Sequence, residues 1–431
     1  MSGTAYSRAD HDEPVRFSDA VLWHVYPLGF VGAEPAAQTA VRHRLPQVTA
    51  WLDYVVELGA NVLQLGPVFA SESHGYDTVD HLAIDARLGD DADFDALVAA
   101  ARERGVRLVL DGVFNHVGRA FPRFQEASTH PGSPASRWFR REGDGWGTFE
   151  GHDALVALNH DEPEVRDHVV SVMRHWLDRG ASGWRLDAAY AVPAPFWRAV
   201  ADAVHESHPD AWLLGEVLHG DYAAFVGESG LDSVTQYELW KAVWSGLNDR
   251  NLFELAHALG RHAAMLESFV PTTFLGNHDV TRIASALEAP WLLPHAVTVL
   301  FTVPGHPVVY AGDEQAFTGV KEERAGGDDE VRPRFPATPA QLSTLGEPTL
   351  RLHQRLIGLR RRHPWLVNGV LSVERLENEL LVYRVANRGD ARQALTVVLN
   401  LTDRDAAVQV PSGRRILEGG LGPRGAAVIG D

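Results

Sequence analysis

Short apolar runs alternate along the chain with longer stretches whose apolar positions recur at helical spacing. "VLWHVY" (21–26), "NVLQLGPV" (61–68) and "VRLVLD" (106–111) read as strands. "QVTAWLDYVVELG" (47–59) and "DFDALVAAARERG" (93–105) read as amphipathic helices, the first stopped at Gly59, the second opened by Asp93 and stopped at Gly105. Strand–helix alternation of this kind predicts a parallel sheet covered by helices.

Several of these strands end on a carboxylate. "VRLVLD" ends at Asp111, "SGWRLD" at Asp187, "AWLLGE" at Glu216 and "TTFLGNHD" at Asp279. The last three follow one another at 29 and 63 residues. An eightfold βα barrel of about 250 residues uses about 31 per unit, so these intervals are one unit and two. "LDSVTQYE" (231–238) supplies the strand between, and "HPVVYAG" (306–312) the eighth. The interval from Asp111 to Asp187 is 76 residues, which leaves about 45 beyond one unit. That surplus is rich in Gly, Pro, Ser and aromatics and reads as a lobe inserted after the third strand. The predicted fold is therefore an α/β chain, a (β/α)8 TIM barrel with a short inserted lobe and a C-terminal antiparallel β domain. Its segments are 1–116 (strands one to three), 117–160 (the lobe), 161–364 (strands four to eight) and 365–431 (a β-sandwich). The last barrel helix is placed at 348–364, and strands at 381–387, 393–402 and 406–410. Residues 321–340 read as a polar loop.

Composition narrows the function. The 431-residue chain is 45% hydrophobic and 22% charged, as expected of a globular protein with a large core. It has no cysteine, which excludes disulfides, thiolate catalysis and thiolate metal sites. A net charge of −18 with no basic face argues against nucleic-acid binding. No apolar run is long enough to span a membrane, and the first 20 residues lack the apolar core of a signal peptide, so a cytoplasmic location is expected. Most of the twelve tryptophans are expected in the core, with some free to stack on sugar rings.

In barrels, catalytic groups sit at the carboxyl ends of the strands. Several carboxylates converging there oppose one another's ionisation, so at least one should hold its proton to higher pH. Such a set suits acid–base and nucleophilic chemistry at an acetal carbon. With His116 and His278 it also suits a divalent metal ion.

Four motifs in order resemble the signatures of glycoside hydrolase family 13, the α-amylase family: "DGVFNH" (111–116), "GWRLDAA" (183–189), "GEV" (215–217) and "FLGNHD" (274–279). "HGYDTVDHLAIDARLGD" (74–90), "LNHDEPEVRD" (158–167) and "GHPVVYAGDE" (305–314) extend the likeness over nearly the whole chain. The resemblance implies a retaining mechanism on α-glucosidic bonds. Asp187 matches the nucleophile, Glu216 the acid/base and Asp279 the third acid, which binds ring hydroxyls. Arg185 lies on the same strand face as Asp187, and its charge is expected to keep Asp187 ionised. His116 and His278 match imidazoles that bond the cleaved glucose, and Tyr76 and Asp77 match a stacking ring and a carboxylate of that subsite. Asp111 is expected to orient neighbours.

Two departures stand out. Many relatives carry Lys-His at the third and fourth positions after the nucleophile; here Tyr190 and Ala191 stand there, lining the leaving-group side. Asn115 matches a calcium ligand of α-amylases, but Ala191 replaces the histidine whose carbonyl often completes that site, so no metal or other cofactor is expected there. The resemblance points to small, imported or cyclic α-glucans, as in neopullulanase- and cyclomaltodextrinase-type members, with no nucleic-acid or membrane partner. Transglycosylase, α-glucosidase and sucrose-active chemistry stay open within the family. A non-catalytic relative would have lost one of Asp187, Glu216 and Asp279, and all three are present.

Overall fold

The structure, a computed structural model, describes residues 16–324 and 326–431. Most of the first 20 residues, read above for a signal peptide, lies outside the described residues. Eight parallel strands form the barrel: β1 Leu22–Val25, β2 Val62–Leu65, β3 Arg107–Gly112, β4 Gly183–Leu186, β5 Trp212–Gly215, β6 Ser233–Val234, β7 Thr272–Phe274 and β8 His306–Tyr310. Their order is β6-β5-β4-β3-β2-β1-β8-β7. A parallel bridge between Thr235 and Thr272, with the Gln236 N–H donating to the Thr272 carbonyl at 2.9 Å, joins β6 to β7 and closes the ring.

The alternation of side chains along each strand separates floor from site. Leu22, Val62, Val109, Leu214, Phe274 and Val308 fill the lower interior with Trp212. Phe17 stacks on Trp212 at 5.1 Å and seals the amino-terminal end. Two residues further along the strands the interior turns polar, at His24, Gln64 and Asp111, all buried. Helices such as Asp91–Glu103, Pro163–Asp178 and Ala194–Ser207 cover the outside. Each fully buried large apolar side chain on their inner faces contributes about 1.5–3 kcal/mol.

Between β3 and β4 the inserted lobe forms a three-stranded antiparallel sheet from His116–Gly118, Thr148–Phe149 and His152–Ala157, beside the helix Pro122–Thr129.

The structure departs from expectation in four places. The helix read at 47–59 is two helices, Leu45–Thr49 and Leu52–Leu58, broken where Trp51 turns inward to stack on Trp23 at 5.9 Å. The sixth strand is only two residues long, Ser233 and Val234 pairing with Leu214 and Gly215 of β5. Residues 406–410 are not a strand; Ala406, Val408 and Val410 lie against the sheet face as a cover. The C-terminal segment is one five-stranded antiparallel sheet rather than a sandwich. Its strands are β9 Val370–Leu376, β10 Leu380–Ala386, β11 Ala394–Asn400, β12 Arg415–Gly419 and β13 Ala426–Gly430, ordered β9-β10-β11-β13-β12. The helices Leu293–Thr302 and Glu347–Arg362 pack on that sheet where a second sheet would otherwise lie. Pro364 follows the latter helix and ends it.

Candidate active site

The period of β4 puts Arg185 and Asp187 on the barrel's inner face, and register places Arg185 beside Asp111 of β3. Arg185 Nη1 donates to Asp111 Oδ1 at 2.8 Å and Oδ2 at 2.7 Å, and to Asp187 Oδ1 at 3.1 Å. Its Nη2 lies 2.6 Å from Glu216 Oε1, at the end of β5. All four side chains are buried. Gly112, after Asp111, admits no side chain: a Cβ there would sit 2.4 Å from the Phe114 ring.

The chain turns sharply after Asp187. Ala188 has φ 45°, a left-handed conformation that a non-glycine residue adopts at a cost of about 1–2 kcal/mol. The turn aims the Ala188 N–H at Glu216 Oε2, 2.9 Å away. Backbone strain is thus spent on holding Glu216 against the carboxylate that precedes it. Tyr237 OH donates to Glu216 Oε1 at 3.2 Å and accepts from Asn277 Nδ2 at 2.8 Å.

One guanidinium cannot neutralise three buried carboxylates. Burial, reinforced by the charge of Glu216, pushes the Asp187 carboxyl well above the usual range, against the opposing pull of Arg185. Burial also raises Asp111, again against Arg185. The expectation that Arg185 keeps Asp187 ionised is opposed by burial, because Arg185 is shared among Asp111, Asp187 and Glu216. Asp111 and Asp187 are thus both raised by burial while Arg185 pulls each of them down.

Asp279 is governed differently. Gly276 before it allows β7 to pass close to β8, since a Cβ would meet Asp313 Oδ2 at 2.5 Å. Asn277 Oδ1 accepts the Asp279 N–H at 2.8 Å and fixes the turn. Asp279 Oδ2 lies 2.9 Å from His278 Nε2, and Oδ1 accepts from Arg332 Nη2 at 2.7 Å. Burial alone would raise Asp279, but His278 and Arg332 hold it well below the usual carboxylate range. Arg332 also donates through Nε to the His278 carbonyl at 2.9 Å and lies over the Tyr26 ring at 4.7 Å. Tyr76 stacks parallel to His278, hydrogen-bonds its Nε2, and donates to Asp111 Oδ2 at 3.2 Å.

Asp187, Glu216 and Asp279 open into one cavity of about 480 Å³, lined also by Tyr76, His116 and Tyr190. His116 stacks on Phe149 of the lobe at 4.7 Å, and burial lowers its pKa to about 3, so it is a neutral hydrogen-bonding group. Its Nε2 is buried without a partner, free for a ligand hydroxyl. Arg185 and His278 sit behind the cavity wall. Asp77 is buried beside it, accepting from Ser73 Oγ at 2.6 Å, with Oδ1 unpartnered. The sequence reading passed over Arg332, Tyr237 and Phe149. Arg332 lies in a loop with no periodic pattern, whereas Tyr237 stands inside the expected sixth-strand stretch.

Among the described residues, one group brings metal-ligating atoms within 4.8 Å of one another: His43, Asp90 and Asp93. It lies outside the cleft, and Asp90 and Asp93 form the capping box of the helix Asp91–Glu103.

Comparison with known proteins gives a consistent pattern. The α-amylase catalytic-domain model matches residues 25–341. A cyclomaltodextrinase from a Bacillus species is 30% identical over 343 residues, covering 71% of this chain and 61% of that protein. Neopullulanase 2 from Thermoactinomyces vulgaris is 30% identical over 417 residues, covering 89% of this chain and 69% of that protein. The chain spans about three fifths of the length of the first of these relatives. Among solved structures, a cyclic α-maltosyl-(1→6)-maltose hydrolase from Arthrobacter globiformis superposes with a TM-score of 0.82 at 26% identity, covering 96% of this chain and 98% of that one.

Proposed function

The chain belongs to the α-amylase family of glycoside hydrolases, and from that premise we propose that it cleaves α-glucosidic bonds in malto-oligosaccharides or related small or cyclic α-glucans with retention of configuration. Asp187 is the nucleophile. Its oxygen attacks the anomeric carbon while the bond from that carbon to the leaving oxygen breaks and Glu216 passes its proton to that oxygen. Water then attacks the glycosyl–Asp187 ester, Glu216 takes the water's proton, and Asp187 leaves as a carboxylate. Asp279, kept ionised by Arg332 and His278, binds ring hydroxyls and supports the positive charge that develops on the sugar. His116 and Tyr76 line the pocket for that ring, while Arg185 positions Asp187 and Glu216 and Asp77 is held by Ser73.

The observation that carries this reading is the attachment of Asp187 and Glu216 to the two terminal nitrogens of Arg185. Retention calls for carboxyl groups about 5–5.5 Å apart, whereas inversion needs a wider gap for water. A shared guanidinium supports the closer arrangement. A cavity of about 480 Å³ and the 26% likeness to a hydrolase of a cyclic maltosyl-maltose support small or cyclic substrates. No helix among the described residues is long and apolar enough to cross a membrane, and the proposal places the enzyme's action in the cytoplasm.

The test is a panel of maltose, maltotriose, a cyclic dextrin, pullulan and sucrose, with products separated by chromatography and the first-formed anomer read by proton NMR. Turnover of the oligosaccharides with α-anomeric products is expected. A β-anomeric first product would overturn the retaining mechanism.

A further inference from the structure

The hairpin of the inserted lobe breaks a local rule. Its two-residue turn is Glu150-Gly151, between paired Phe149 and His152, with φ 50° and 79°. Positive φ at both central positions is the turn that Asn-Gly suits best. A glutamate at the first position adopts the left-handed conformation at a cost in stability, and nothing within the hairpin repays it. The compensation lies across the cleft. Tyr190 OH donates to Glu150 Oε1 at 2.8 Å, joining the lobe to the loop after β4. The preceding residue, Phe149, is anchored on His116, so the hairpin is pinned on both sides of the cleft.

This contact stands at a threshold. Both residues line the 480 Å³ cavity that holds Asp187 and Glu216. Tyr190 also lines a second cavity of about 940 Å³ between the lobe and the barrel, with Arg140, His160 and Phe225 among its walls. The phenol sits three residues after Asp187 and its backbone N–H donates to the Glu216 carbonyl at 3.2 Å, so it faces the side from which Glu216 reaches the bond. Glu150 is exposed and Tyr190 half-buried, one a carboxylate and one a phenol that burial and Glu150 keep protonated. An acceptor beside a donor, held at sugar-hydroxyl spacing by a strained turn, is a recognition element for a polyol.

We propose that Glu150 and Tyr190 together bind the first sugar on the leaving-group side, between the catalytic cavity and the larger one beyond it. The inference rests on the glycosidase reading above and adds the lobe carboxylate to it. Two hydroxyls of the leaving glucose take the place of the Glu150–Tyr190 bond, one donating to the carboxylate and one accepting from the phenol. Because they replace the same bond, the two side chains act as a unit.

The experiment compares maltotriose with a 4-nitrophenyl α-glucoside, whose leaving group has no hydroxyl to offer, in the wild type, Glu150→Gln, Tyr190→Phe and the double variant. Each single change is expected to raise KM for maltotriose about threefold to tenfold more than for the aryl glucoside, one hydrogen bond's worth. The double variant should be no worse than the more damaging single one. Equal effects on both substrates, or none, would overturn the proposal. Glu150→Asn gives a second readout: it suits the turn, so the melting temperature should rise while KM for maltotriose also rises. A lower melting temperature with unchanged KM would make Glu150 a structural residue and end the proposal. Wild-type protein that turns over neither substrate would refute the glycosidase reading itself, a different outcome from a wild type that cleaves both and variants that do not discriminate.

Discussion

Asp187 and Glu216, carried on neighbouring strands, share a single cation: Arg185 Nη1 lies 3.1 Å from Asp187 Oδ1, and Nη2 lies 2.6 Å from Glu216 Oε1. The same Nη1 is held more closely by Asp111, at 2.7 Å. Negative charge therefore exceeds positive charge at the inner end of the cleft, among side chains that are buried. Burial and that excess together raise the Asp187 and Asp111 carboxyls against the pull of Arg185.

Replacing Asp187 by Asn separates function from stability. Turnover of maltotriose should fall by about four orders of magnitude, as when a member of a catalytic set is lost. The fold should become more stable. Burial and Glu216 raise the Asp187 carboxyl in the folded state, so its contribution is most favourable below the unfolded value, about 3.9, and is lost as pH rises through the folded one. Asn removes that loss. Thermal melting at pH 5 and pH 8 should show a gain, larger at pH 8; a loss at both would mean the ion pair with Arg185 outweighs the crowding.

The two catalytic carboxyls should shape the pH–rate profile. The retaining mechanism needs Asp187 ionised and Glu216 protonated, so kcat/KM should fall on the acid side as Asp187 gains a proton and on the basic side as Glu216 loses one. Glu216→Gln should lose the basic limb. It should also retain more of its rate on a 4-nitrophenyl α-glucoside, whose leaving phenolate needs little protonation, than on maltotriose. An unchanged basic limb in that variant would assign the proton elsewhere.

Arg332 is expected to matter as much as a residue inside a signature motif. Its charge-assisted bond to Asp279 Oδ1 holds that carboxyl well below the usual range, with His278. A depressed carboxyl contributes stability above its unfolded pKa and loses it as pH falls through the folded one. Arg332→Gln should therefore destabilise the protein more at pH 7 than at pH 4. In steady-state kinetics kcat/KM should drop about tenfold to a hundredfold, the value of a hydrogen bond to a charged group, and its acid limb should move to higher pH. An acid limb that stays in place would show that Asp279 does not depend on Arg332.

The barrel was legible because its carboxylates mark strand ends at a nearly constant interval. Asp187, Glu216 and Asp279 announce three strand tips by chemistry as much as by pattern. What stayed hidden was placed by tertiary contact rather than by local order. Arg332 comes from a loop of turns and bends, and only the folded chain carries it to Asp279. Glu150 reads as one more charge in a Gly-rich stretch until the hairpin turns it toward Tyr190. Ser233–Val234 is too short for any periodicity to define its ends. Residues 406–410 alternate like a strand, and Ala406, Val408 and Val410 do turn toward the sheet, yet they add no rung to it.

The loop after β8 carries a last consequence, one of stability alone. Asp313 and Glu314 are buried at the end of that strand, and burial pushes their pKa values up to about 6 and about 7. Asp313 has Arg282 at 2.8 Å to oppose the shift; Glu314 has no cation among the described residues, and accepts from the Gly312 N–H at 3.0 Å and the Tyr54 OH at 2.9 Å. Both are raised, so the stability they contribute is complete below their unfolded values near 4 and is lost as pH rises through 6 and 7. For Glu314 the loss approaches about 3 kcal/mol by pH 8. A glutamine there keeps a carbonyl for the Gly312 N–H, and its amide donates to the Tyr54 oxygen once the Tyr54 hydroxyl, which donates to Glu314 Oε1, turns away. Urea denaturation of Glu314→Gln should thus match the wild type near pH 5 and exceed it at pH 8, with a flatter dependence between. A variant equally destabilised at both values would mean that Glu314 is ionised in the fold and held by its two donors.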